Sequence, residues 1–345
     1  MSQICKLLLI TFLFFEHQFA QEIEIVSGGN ERSFRINLPS DTNDPIPLMI
    51  ILHGLGETSA SWYGVASYTT NQGFATVRPE SGTFASNSGN GNVKLWNAIL
   101  DTARFDDVQF ISDVIDYMLT NYEFIDHDRI YVLGSSNGGY MAYRLACDLA
   151  HRITSFTSVI GNMFLDDDGF DCIDQDRDIP ILHIHGTEDP INSYYPGGNG
   201  VDILDDQYLT IIESIEFWSN YHQYDEMEID TVLSDVSIRY TYSSDSAISN
   251  FEHIKVVGGG HIYFYGNNYG FSSTQEAIDY SLQYKLSDFI INQEDVNDDG
   301  LFNIEDINVV VEYLFDELPS NLSYDFNSDQ NIDIFDLLII SDLIF

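Results

Sequence analysis

One short stretch restricts what this chain can fold into more than any other: Gly134-Ser135-Ser136-Asn137-Gly138-Gly139, set directly after the apolar run Arg129-Ile-Tyr-Val-Leu133. The apolar run reads as a buried strand, and residues 137–149 carry apolar side chains at helical spacing. A chain passing from strand to helix through Gly-x-Ser-x-Gly must turn sharply on the serine, and only small residues fit beside it. Gly134 and Gly138 meet that need and leave the Ser136 hydroxyl raised above the end of the strand. A hydroxyl so presented is a nucleophile in want of a base.

The alternation of strand and helix continues on both sides of this turn. Residues 22–26, 33–38, 48–52, 74–77, 130–133, 156–160, 181–184 and 254–257 read as strands, and 59–70, 108–119, 137–149, 208–218 and 277–290 as helices. Residues 84–92, rich in Gly, Ser and Asn, read as a loop. Alternation of this kind predicts an α/β fold with a mainly parallel sheet covered on both faces.

A serine base must come from a histidine held by a carboxylate, in the chain order Ser, Asp or Glu, His. Downstream of Ser136 stand His151, His183, His185, His222, His253 and His261. His151 and His222 fall at helix ends, His183 and His185 in a strand and its exit, and His253 ahead of a strand. His261 follows a strand through Gly258-Gly259-Gly260, a turn that can carry an imidazole over the sheet edge, and is read as the base. For the carboxylate, Glu188 and Asp189 compete at the exit of Ile181-Leu-His-Ile-His-Gly186; Asp189, whose backbone Pro190 restricts, is preferred. The Gly-rich turn His53-Gly54-Leu55-Gly56 suits an oxyanion hole made by the amides of Leu55 and Asn137, with His53 shaping the turn. Trp96 either borders the cleft or packs in the core. No metal or other cofactor is needed for this chemistry.

The chain carries 13 Lys and Arg against 55 Asp and Glu, a net charge of −42. That excludes binding to nucleic acid, which needs basic contacts to phosphate, and docking on anionic lipid. Lys6 followed by the apolar run 7–15 and a cleavage site after Ala20 reads as a signal peptide over residues 1–20, too short to span a bilayer. The protein is therefore expected to be secreted, extracellular or held at a cell surface, with no membrane insertion. Removal of the signal leaves Cys147 and Cys172, which form either one disulfide closing a loop of roughly 25 residues, worth about 3 kcal/mol, or two buried thiols.

Leu52-His-Gly-Leu-Gly56, Arg129 to Gly139, His185-Gly-Thr-Glu-Asp-Pro190 and Gly259-Gly-His261, with Asp106-Asp-Val108 and Ala146-Cys147, resemble the secreted feruloyl esterase and polyhydroxybutyrate depolymerase group, carbohydrate esterase family 1 in the broad sense. The resemblance covers about residues 24–291. It implies an α/β-hydrolase fold and a serine esterase with Ser136 as nucleophile, Asp189 as orienting acid and His261 as base. It also implies a Cys147–Cys172 bridge. Its substrates would be feruloyl or acetyl esters on polysaccharide, or a polyester such as a polyhydroxyalkanoate. One departure falls in the substrate wall: where the family often has Trp-Pro-Gly soon after the catalytic histidine, this chain has Ile262-Tyr-Phe-Tyr-Gly266. A prolyl oligopeptidase-type peptidase shares the residue order but usually has Tyr after the nucleophile and needs a propeller. A catalytically silent adhesion module does not account for a complete set of Ser, Asp and His.

From residue 292 the character changes: 292–345 contains no Lys or Arg, and two similar stretches recur about 30 residues apart. Asp295, Asn297, Asp299, Asn303 and Asp306 stand at positions 1, 3, 5, 9 and 12 of the first, with Leu301 placed to offer its carbonyl. Asp325, Asn327, Asp329, Asp333 and Asp336, with Asn331, repeat the spacing in the second. This is the pattern that wraps Ca2+, and apolar helical stretches at 307–315 and 337–344 follow each loop. Gln330 stands where Gly is usual, so the second loop is expected to bind more weakly. The tandem resembles a dockerin, a small all-α domain whose partner is a cohesin on a scaffold or cell surface. The expected organisation is therefore a signal peptide (1–20), an α/β-hydrolase esterase domain (21–291) and a dockerin-like calcium domain (292–345).

Overall fold

The structure, a computed structural model, describes residues 21–43, 45–85, 92–99, 103–164, 177–197, 208–245, 247–289, 307–311 and 337. The signal segment, Cys172 and both calcium loops lie outside the described residues, and of the stretches after the loops only 307–311 and Leu337, both helical, fall within them.

The chain opens with the hairpin β1 (Gln21–Ser27) and β2 (Asn30–Asn37), then β3 (Ile46–Leu52), α1 (Tyr63–Asn71), β4 (Ala75–Pro79) and the small hairpin β5 (Gly82–Ala85) and β6 (Asn92–Leu95). There follow α2 (Asp107–Asn121), β7 (Ile125–Ser135), α3 (Asn137–Asp148), β8 (Ser155–Val159), β9 (Ile181–Gly186) and α4 (Ile211–Tyr221). The hairpin β10 (Glu226–Val232) and β11 (Ser237–Ser243), then β12 (Phe251–Val256) and α5 (Ser273–Ser281), complete the described fold. Ten strands form one sheet in the order β1-β2-β4-β3-β7-β8-β9-β12-β11-β10. Its centre, β4 to β12, is parallel, and an antiparallel hairpin extends each side. This is the mainly parallel sheet that the sequence predicts.

The central strands are apolar throughout because both of their faces are covered. All seven residues of β3 are buried; Leu48, Ile50 and Leu52 join the core under α2, α3 and α4, while Met49 and Ile51 join the one under α1 and α5. Asp106 caps α2 by accepting from the Gln109 amide, and Thr210 and Glu213 form a reciprocal capping box at the start of α4. Beside the first cap, buried Asp107 takes Arg32 of β2 at 2.5 Å and the Asn97 amide at 2.7 Å, tying β2 to the segment after β6. Burial pushes the Asp107 carboxyl above its usual range, against the pull of Arg32.

Four expectations need correction. The helix expected over 59–70 begins at Tyr63, because Thr58 and Ser61 spend the first turn bonding each other. That expected over 208–218 runs from Ile211 to Tyr221, with Thr210 fixing its start. That expected over 277–290 is α5, begun at Ser273 and ended at Ser281, and a short 3-10 turn, Leu286–Asp288. The stretch expected to be a loop at 84–92 has its two ends in the β5–β6 pair, with Phe84 opposite Val93 and Ala85 opposite Asn92. The β10–β11 hairpin has no counterpart among the expected elements.

Candidate active site

The parallel strands β3, β7, β9 and β12 all end at one edge of the sheet, and each delivers one piece of the site to it. At the end of β7 the chain turns on Ser136, which holds φ 51°, a left-handed value rare for a residue with a side chain. The turn closes only on glycine: a Cβ on Gly134 would stand 2.1 Å from the Gly138 carbonyl oxygen, and one on Gly138 2.2 Å from that of Leu52.

The exits of β9 and β12 are laced together. The Glu188 amide donates to the Gly259 carbonyl at 2.9 Å, and the Gly258 amide to Thr187 Oγ1 at 2.9 Å. The approach needs glycine as well, since a Cβ on Gly186 would meet the Gly259 carbonyl oxygen at 2.2 Å. In this frame Asp189 Oδ2 lies 2.8 Å from His261 Nδ1, and His261 Nε2 lies 2.9 Å from Ser136 Oγ. The other carboxylate oxygen, Oδ1, accepts from the amides of Ile191 and Asn192 at 2.8 and 2.9 Å. Glu188, the competing carboxylate, is exposed and contributes only its amide. Burial alone would push the Asp189 carboxyl up; hydrogen bonds from His185 and His261 outweigh it and hold the group well below the usual carboxylate range.

The turn at the end of β3 lies against the serine, a Cβ on Gly54 standing 3.5 Å from Ser136 Cβ. The Gly54 amide is taken by Glu57 at 2.8 Å and the Gly56 amide by the Lys94 carbonyl at 2.8 Å. The Leu55 and Asn137 amides have no hydrogen-bond acceptor among the described residues. His53 shapes the turn: its Nδ1 meets the Gly54 carbonyl at 2.8 Å, and its Nε2 takes the Ser81 amide at 3.2 Å. Trp96 packs in the core, nearly fully buried, donating Nε1–H to the His53 carbonyl at 2.9 Å. Its amide donates to Asn137 Oδ1 at 2.7 Å, so the residue after the serine is locked by its own side chain.

The structure thus brings Ser136, Asp189, His261, Leu55 and Asn137 to one place. Cys147 lies at the end of α3, while its expected partner and the expected calcium ligands lie outside the described residues. Among the described residues no cluster of His, Cys, Asp and Glu is arranged to hold a metal ion, and no helix is long and apolar enough to cross a membrane. Sequence reasoning passed over His185, whose Nε2 stands 3.1 Å from Asp189 Oδ2. Its signal was spacing: His183 and His185 alternate onto one face of β9, four residues ahead of the carboxylate.

The chain matches the phospholipase/carboxylesterase family model over residues 34–237. It is 29% identical over 172 residues to a bifunctional acetylxylan esterase/xylanase of Neocallimastix patriciarum, a match covering 48% of this chain and 22% of that protein. It is 26% identical over 187 residues to a protein of Aspergillus niger named probable feruloyl esterase C, covering 51% of this chain and 60% of the other. The chain therefore spans less than two thirds of the length of either relative. An S-formylglutathione hydrolase from Agrobacterium tumefaciens superposes with a TM-score of 0.50 at 13% identity, over 76% of this chain and 94% of that one, a likeness of fold alone.

Proposed function

Because the chain belongs to the phospholipase/carboxylesterase family and has the α/β-hydrolase fold, we propose that it is a serine ester hydrolase acting on feruloyl or acetyl groups carried by polysaccharide. The observation that carries this reading is the unbroken hydrogen-bonded line from Ser136 Oγ through His261 to Asp189. His261 takes the Ser136 proton as the hydroxyl attacks the ester carbonyl, and Asp189 holds the imidazole in the tautomer that makes this possible. The Leu55 and Asn137 amides receive the oxyanion, each worth about 3 kcal/mol in the transition state. Collapse releases the alcohol, protonated by His261, and leaves the acyl group on Ser136. Water then attacks with His261 again as base, releasing the acid.

The polysaccharide preference draws on the acetylxylan and feruloyl esterase names of the two relatives. It also draws on the wall after His261, where Ile262 and Tyr265 are exposed and Tyr263 packs against Trp62 and Tyr265 at 5.1 and 4.9 Å. Aromatic rings with polar edges suit a ligand that is part apolar and part hydroxylated. We assign the tail, from its repeated loops, to calcium and a cohesin-type partner, which would hold a secreted enzyme near its polymer.

Purified Ser136→Ala is expected to stay folded and to lose hydrolysis of p-nitrophenyl acetate; retained activity would remove the serine from its role. A panel of methyl ferulate, acetylated xylan, polyhydroxybutyrate and a proline peptide tests the substrate class. The proposal expects the first two to be turned over, and turnover of only the polyester or the peptide would replace it.

A further inference from the structure

Behind the Ser136–His261–Asp189 line the structure holds a second row of polar groups that the mechanism above does not use. Tyr143 OH of α3 lies 2.6 Å from His183 Nδ1; His183 Nε2 lies 3.1 Å from His185 Nδ1; and His185 Nε2 lies 3.1 Å from Asp189 Oδ2. Tyr143, His183 and His185 are all fully buried. Such a row is costly unless every member is satisfied, and here one proton arrangement satisfies all of them. Asp189 is ionised and can only accept. The carbonyl of Asn192, 3.2 Å from His185 Nε2, can only accept as well. His185 therefore carries a proton on Nε2, and a ring holding only that proton accepts on Nδ1. His183 must then donate from Nε2 and accept on Nδ1, and Tyr143 must donate. Burial, with repulsion from His185 and His253, holds His183 neutral.

We propose that His185 is a second positioning residue on the catalytic carboxylate, oriented by His183 and Tyr143. The proposal rests on the triad reading above and extends it inward from Asp189. Asp189 Oδ2 receives the His261 N–H and shares the His185 Nε2–H with the Asn192 carbonyl, while Oδ1 receives two amides. Four donors stop rotation of the carboxylate and fix the lone pair that His261 meets. The second imidazole also draws charge from Oδ2, so that Asp189 pulls less strongly on the His261 proton. The remaining polar groups around His185 are spoken for. His253 Nδ1 donates to the His183 carbonyl at 3.0 Å, and Tyr194 OH donates to His253 Nε2 at 2.7 Å. The Lys255 ammonium lies over the rings of Tyr194 and Tyr195, at 5.5 and 5.9 Å.

The test compares His185→Leu, His185→Gln and Tyr143→Phe in the full chain, with Ser136→Ala alongside. Gln can place an N–H near the lost Nε2 donor, and Leu cannot. The proposal expects kcat on p-nitrophenyl acetate to fall ten- to hundredfold in His185→Leu with KM little changed, as for a misplaced catalytic group. The acid limb of its kcat/KM profile should move to higher pH, because undiluted charge on Asp189 favours the His261 imidazolium. His185→Gln should recover most of the rate and the profile, and Tyr143→Phe should show a smaller loss of the same kind. A folded His185→Leu with wild-type kcat and pH profile overturns the proposal and leaves the triad reading intact, whereas an active Ser136→Ala overturns the triad reading itself. Should His185→Leu fail to fold, nitrogen-15 NMR of the histidine-labelled wild type decides. The proposal requires His183 and His185 both as Nε2–H tautomers, and a proton on Nδ1 of His185 refutes it.

Discussion

At the scale of single residues, glycine is what the elbow depends on. Gly138 lies where its backbone crosses the end of β3, with Leu52 O 2.2 Å from the place a Cβ would take. Both contacting groups are backbone, so neither can swing aside. Gly138→Ala should cost about 3 kcal/mol or more, the upper range of overpacking, read as a fall in the denaturant midpoint; an unchanged midpoint would mean the elbow has room. Glycine, serine and the restricted Asp-Pro pair were legible in the sequence because each is punctuation with a conformational reason. His185 was not, since a histidine inside a strand looks the same whether it fills space or holds a carboxylate. Only the third dimension shows that its Nε2 ends at Asp189.

Elements were legible in proportion to how much they bury. The central strands read as strands because both faces are apolar. The β10–β11 hairpin went unread because Met227, Ile229 and Val232 lie 54, 61 and 67% exposed, so its alternation does not mark a core. Helix α4 offers a test at this scale through His222, which closes it. Burial drives the His222 imidazole down to about 3, and likewise His253, while His183 is pushed well below its ordinary value. All three are neutral in the fold and charge freely when unfolded. Their contribution is whole above about pH 6.5 and is lost as pH falls from there toward the folded values. Between about pH 6.5 and 4.5, before ordinary carboxylates titrate, each should cost up to about 1.4 kcal/mol per pH unit. His222→Gln should make the fall of the urea-unfolding free energy over that window shallower by about one proton. Equal slopes in the two proteins would show that His222 is not neutral in the fold.

For the whole molecule, the net charge of −42 sets the terms. The composition pointed away from nucleic acid and lipid, and the order of strands and helices gave the class of fold. It could not give the sheet order, since β12 beside β9 is settled by packing across distant parts of the chain. The tail remains an argument from spacing. If its loops bind calcium, a chelator should abolish far-UV circular dichroism arising from residues 292–345 and leave p-nitrophenyl acetate hydrolysis intact. A spectrum indifferent to calcium would contradict the loops, and loss of hydrolysis would contradict the separation of the two parts.

The proposed triad is drawn from strands that the chain makes at very different times. Ser136 and His261 are 125 positions apart, and His261 is delivered by β12, the last parallel strand to take its place. Closing so long a loop costs entropy before any contact repays it, so this pairing belongs late in folding. If Ser136 and His261 act as proposed, a growing chain that has already shown its serine has no base to activate it until β12 docks.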